Sequence, residues 1–190
     1  MTHLRTPLIG KVELIKQVKV VTTAPVTPEY LTEYFEGNQT FIDVGDLAGN
    51  TNKTLIIEAN ILNPGTGDTI IMRFNGISLG VYDYRYSYAG STSTAAGNAQ
   101  TSIALAPSTG NSSINNINIR LDATIGKNRN FVGSVSQIGS SQQTVAGVLL
   151  ASGNWRDNTT ELVSIRFGYA SITDSIGVGT TIKVFSISNV

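Results

Sequence analysis

Few side chains in this sequence could do chemistry: one histidine, seven aspartates and a run of alternating tyrosines. A Ser-His-Asp triad or an imidazole metal site would have to be built around His3, near the N-terminus, where order is least common. Paired carboxylates suffice for glycoside hydrolysis. Asp43 and Asp46 form the closest such pair, whereas Asp68, Asp83, Asp122, Asp157 and Asp174 lie in or beside turns. Aspartate is common in turns because its carboxylate bonds nearby backbone amides, which accounts for nearly all of them without catalysis. Calcium at Asp43 and Asp46 lacks EF-hand spacing. No phosphate-binding loop opens a helix, and Gly177-Val178-Gly179 precedes a strand, so it reads as a turn. The expectation is a chain that is not an enzyme, with no catalytic residue, metal or cofactor.

The tyrosines are different. Tyr82, Tyr84, Tyr86 and Tyr88 recur at a spacing of two, which on a strand puts all four rings on one side. Rings with polar tips serve sugar binding and protein interfaces, and equally the half-buried face of a sheet. The row is therefore the candidate contact surface, open to a sister subunit, a glycan or the domain's own core.

The elements that position these residues are strands. Segments of alternating apolarity recur between clusters of Gly, Asn, Ser and Asp, the pattern of an all-β sandwich or barrel. Asn116 to Asp122 is the cleanest, with Ile117, Ile119 and Leu121 on one face and Asn116, Asn118 and Arg120 on the other. Lys11 to Val21, Lys53 to Ile61, Ile70 to Phe74 and Val163 to Tyr169 alternate in the same way. With Gln39 to Val44, Thr101 to Ala106, Asn130 to Gln137 and Thr144 to Ala151 the total is about ten strands. In the last, Thr180 to Ser188, the apolar phase shifts between Val184 and Phe185, which predicts a bulge. Only Pro28 to Gly37 looks helical, with Thr27 as cap and Pro28 at the first position.

Residues 1–36 hold Pro7, Pro25 and Pro28 around a single strand. They read as an arm before a compact domain of residues 37–190, either docking onto a partner or adding an edge strand to the same sandwich. At 190 residues the chain can build one sizeable core. Charged residues make up 14% and the net charge is zero, so there is no electrostatic footprint for nucleic acid or for an anionic membrane. Polarity comes instead from Ser, Thr and Asn, about 30% of the residues, which suits packing side by side without charge repulsion. The absence of cysteine excludes disulfides and thiolate metal sites. No basic start leads into an apolar h-region and no run approaches 18 apolar residues, so neither an export signal nor a membrane helix is expected.

Three short motifs then line up in order: Gly65-Thr66-Gly67-Asp68-Thr69, Arg73-Phe74-Asn75-Gly76 and Tyr82-Asp83. Further on come Gly153-Asn154-Trp155, the strand Leu162 to Phe167, and Gly179-Thr180-Thr181-Ile182. Over residues 53 to 188 this series resembles a group of small bacteriophage virion proteins with a jelly-roll sandwich. It departs from the group at Phe185-Ser186, where the group runs into Tyr-Gly. The resemblance implies an antiparallel jelly roll on a phage particle and no catalytic residues. The expectation that follows is a capsid decoration (cement) protein on the virion exterior, a homotrimer whose partners are the major capsid protein and its own copies. The alternative is a head-fibre or tail-fibre module binding host-surface glycan through the tyrosine row or the loop from Gly90 to Gln100.

Overall fold

A computed structural model describes residues 11–47, 53–65, 68–88, 94–106, 113–138, 145–171 and 175–188. They form thirteen strands: β1 (Lys11–Val21), β2 (Thr32–Glu36), β3 (Phe41–Val44), β4 (Lys53–Asn63), β5 (Ile70–Phe74), β6 (Tyr82–Tyr88), β7 (Thr94–Gln100), β8 (Ile103–Ala106), β9 (Ser113–Asp122), β10 (Arg129–Ile138), β11 (Val145–Trp155), β12 (Ile165–Tyr169) and β13 (Thr181–Ser188). Nine make one sheet in the order β2-β1-β13-β4-β9-β10-β11-β6-β7, and four make a second in the order β3-β12-β5-β8. The fold is all-β, and the two sheets pack as a sandwich.

Alternation puts the core between the sheets. Leu55, Ile57, Ala59 and Ile61 of β4 and Ile117, Ile119 and Leu121 of β9 are buried, while Glu58, Asn60, Asn118 and Arg120 between them are exposed. The smaller sheet answers with Ile42, Val44, Ile70, Met72, Phe74, Ile165 and Phe167, all without solvent contact. Burying each such side chain contributes roughly 1.5–3 kcal/mol, so the inner faces hold the sheets together.

Three features differ from the sequence reading. Pro28 to Gly37 is not helical: Leu31 sits at φ 60°, which breaks any helix, and Thr32–Glu36 runs as β2 beside β1. That pairing is parallel, from Gln17 opposite Thr32 to Val21 opposite Glu36, and is the one parallel pair among the described strands. Second, the bulge falls at the expected level but on the neighbouring strand. Leu14 faces Phe185 and Lys16 faces Val184, so Ile15 is the extra residue, and β13 keeps its alternation with Ile182, Val184 and Ser186 buried. Third, β2 and β7 raise the strand number above ten.

Residues 11–36 thus occupy one edge of the larger sheet, where β1 pairs with β13 and buries Val18 and Val20 in the core. Residues 1–10 lie outside the described residues.

Candidate functional site

The described carboxylates near turns are held by backbone amides and hydroxyls. Asp122 accepts from the Thr124 amide and hydroxyl, Asp68 from the Thr69 and Ser171 amides, and Asp83 from the Ala99 amide. Asp157 accepts from the amides of Thr159 and Thr160 and from the Thr159 hydroxyl. Partial desolvation pushes the Asp157 carboxyl up, but the bonds from Thr160 and Thr159 outweigh it and hold the pKa down at about 2. Asp43 and Asp46 do not converge: Asp43 pairs with Arg166 and Asp46 with Lys16. Asp174 and His3 lie outside the described residues.

The motif Arg73-Phe74-Asn75-Gly76 builds a corner between the sheets. Asn75 and Gly76 both have positive φ, 53° and 65°, which carries the chain out of β5 toward β6. The Asn75 side chain accepts from the Val163 and Ser164 amides at 2.9 and 3.1 Å and donates to Glu161 O at 2.6 Å, tying this turn to the segment before β12. Phe74 packs against Trp155 and Tyr82, with ring centroids 5.3 and 6.0 Å apart. Gly153, two residues before Trp155, pairs with Tyr84 of β6. A Cβ there would fall 2.2 Å from Asp83 O and 2.6 Å from the Phe131 ring, so only glycine lets these strands close.

The tyrosine row divides at this corner. Tyr82 is fully buried: its hydroxyl accepts from the Phe74 amide at 2.9 Å and lies 3.0 and 3.1 Å from Ile77 O and Phe74 O, to which it donates. Burial pushes its pKa up to about 12. Tyr84 and Tyr86 are half-buried and stacked, 6.2 Å between centroids at an interplanar angle of 4°. The Tyr88 side chain lies outside the described residues.

Two concave surfaces lie on the outer faces. On the larger sheet, cross-strand register aligns Thr181, Asn60, Asn116 and Ser136 in one row and Lys183, Glu58, Asn118 and Ser134 in the next. They line a groove of about 320 Å³ whose polar groups are amides and hydroxyls, apart from Glu58 opposite Lys183. Such a surface hydrogen-bonds a partner in either sense and imposes little charge of its own.

On the smaller sheet, β12 pairs with β3 and β5 so that Arg166 stands between Asp43 and Arg73, and Gly168 between Phe41 and Ile71. Arg166 donates to both Asp43 oxygens at 2.8 and 2.6 Å and lies 4.1 Å over the Phe41 ring. Arg73 donates through Nε to Thr101 O at 3.2 Å. Together they line a cleft of about 260 Å³. Sequence reasoning placed Arg73 in a motif but gave it no partner and passed over Arg166, because the signal is cross-strand register across 93 residues, not local spacing.

Compared with family models, with curated proteins and with solved structures, the chain matches none.

Proposed function

We propose that this chain is a structural virion protein of a bacteriophage, a decoration protein that binds the capsid exterior and stabilises it. The observation that carries the reading is the outer face of the larger sheet, where a row of amides and hydroxyls, and beside it a second row whose Lys183 and Glu58 offset each other, cross β13, β4, β9 and β10. A surface this wide and this sparsely charged fits docking against a repetitive protein lattice, where like charges on neighbouring copies would repel. A ligand that binds only the assembled lattice stabilises it by mass action.

The strand order supports the fold half of the same reading. Within the sheets, β1-β13-β4-β9 faces β3-β12-β5-β8, the arrangement of an eight-stranded jelly roll. The hairpins β6-β7 and β10-β11 are then insertions that widen one sheet, and β2 is an addition at its edge.

Quantitative mass spectrometry of purified particles tests the proposal: hundreds of copies per particle fit decoration, and a few tens fit a fibre. Asn60→Arg with Asn118→Arg places two cations in the groove and should strip the protein from particles while leaving its unfolding midpoint near the parent's. Unchanged occupancy would sink the docking face. Because β1 carries Val18 and Val20 into the core, a test of the N-terminal segment should remove residues 1–10 and spare the strand.

A further inference from the structure

We infer that the cleft between Arg73 and Arg166 binds the carboxylate of an acidic sugar. Arg166 is already committed, with both Asp43 oxygens on its guanidinium and the Phe41 ring against its face. Arg73 is not. Its Nε is anchored to Thr101 O, and its two terminal nitrogens have no hydrogen-bond or ion-pair partner among the described residues. The anchored Nε fixes the plane of the guanidinium, so the remaining donors form a preset fork beside the cleft, the geometry that captures a carboxylate.

Charge and shape narrow the ligand. Two arginines and Asp43 leave one net positive charge at the cleft, which matches a monoanion, and Asp43 opposes a phosphate or sulfate dianion. At about 260 Å³ the cleft is smaller than drug-sized sites of about 300–1,000 Å³ and suits a single ring. Gly168 makes the space: a Cβ there would meet Phe41 and Thr40 at 3.4 Å, so any longer side chain would project into the cleft. Ile71 lies beside Gly168, Phe41 is 47% exposed, and Thr40 adds a hydroxyl and a carbonyl at the rim. Apolar surface beside hydroxyl partners fits a sugar ring better than a bare carboxylate.

The inference does not rest on the capsid reading. It is tested on the isolated chain, so either can fail without the other. Titration calorimetry at low salt with galacturonate and with N-acetylneuraminate should show saturable binding by at least one, and none by the neutral methyl galactoside. Arg73→Gln should weaken that binding about tenfold or more, since a charge-assisted pair is lost. Gly168→Leu, which keeps both arginines and fills the cleft, should weaken it by as much, with both variants folded by circular dichroism. No binding by either acid, undiminished affinity in both variants, or equal binding of the neutral sugar overturns the site. Equal binding of N-acetylglutamate amide overturns the sugar assignment and points to a protein carboxylate.

Discussion

Two arginines among the described residues lie against aromatic rings, and their surroundings put them to opposite uses. Arg129 is fully buried, 4.6 Å from the Trp155 ring, with terminal nitrogens donating to Asp157 O at 2.9 Å and Thr160 O at 2.5 Å. Arg166 lies 4.1 Å over Phe41 at the surface, with a carboxylate on its fork. The first holds a loop through neutral carbonyls, and desolvation lowers its pKa. The second is neutralised, stays part-exposed, and lends its flank to a cleft. Burial with backbone partners makes a strut, whereas exposure beside an incompletely paired neighbour makes a binding surface.

The contrast is open to breaking. Arg129→Met keeps the bulk but leaves two carbonyls without their donors, so it should cost about 2–5 kcal/mol in urea unfolding. A loss below 1 kcal/mol would remove the strut from the comparison. Tyr82→Phe, at the same corner, deletes a buried hydroxyl with three backbone neighbours and should cost about 1–3 kcal/mol. In the parent, the Tyr82 hydroxyl should stay protonated until about pH 12, which an absorbance titration of parent against Tyr82→Phe reads as a difference.

Asp157 caps the loop that Arg129 holds, and its effect depends on pH. Its folded pKa is depressed to about 2, so its contribution is present above the ordinary carboxylate range and is lost as pH falls toward 2. Asp157→Asn should therefore be less stable than the parent at neutral pH, by under about 1 kcal/mol because the group is part-exposed and screened by solvent. The two melting curves should converge as pH drops from about 4 to 2; a constant gap would reject the linkage. The smallest effect belongs to the surface arginine: Asp43→Asn breaks a part-exposed pair and should cost under about 1 kcal/mol. If it costs as much as Arg129→Met, the two arginines are not different in kind.

Alternation makes most of the strands legible in the sequence alone, because a strand with one face in the core must repeat every second residue. β4 and β9 follow their expected faces residue by residue. β7, Thr94–Gln100, escaped because it is an edge strand of small and polar residues with no apolar face to reveal it. β2 was misread because Thr27-Pro28-Glu29 imitates a helix start, and the competing pairing with β1 is a tertiary fact. The spacing of the tyrosines correctly predicted that they share a strand, but periodicity cannot say which face meets the core, and at Tyr82 the decision rests with the Phe74 backbone. The arginine cleft was the least legible, since each arginine alone looks like an ordinary surface residue.

The position of β13 between β1 and β4 constrains when the molecule can fold. A ribosome delivers β1 and β4 long before residues 181–188, so the larger sheet stays in two pieces, each with an open edge, while most of the chain already exists. The pairing of Lys11 with Ser188 joins the two ends of the described residues and that of Lys53 with Ser188 is also distant in sequence, and such contacts make folding slow. Closure of the sheet is thus a late event in the life of the nascent chain, and a polypeptide truncated before Thr181 would present two unpaired strand edges, one on β1 and one on β4, ready to recruit other chains.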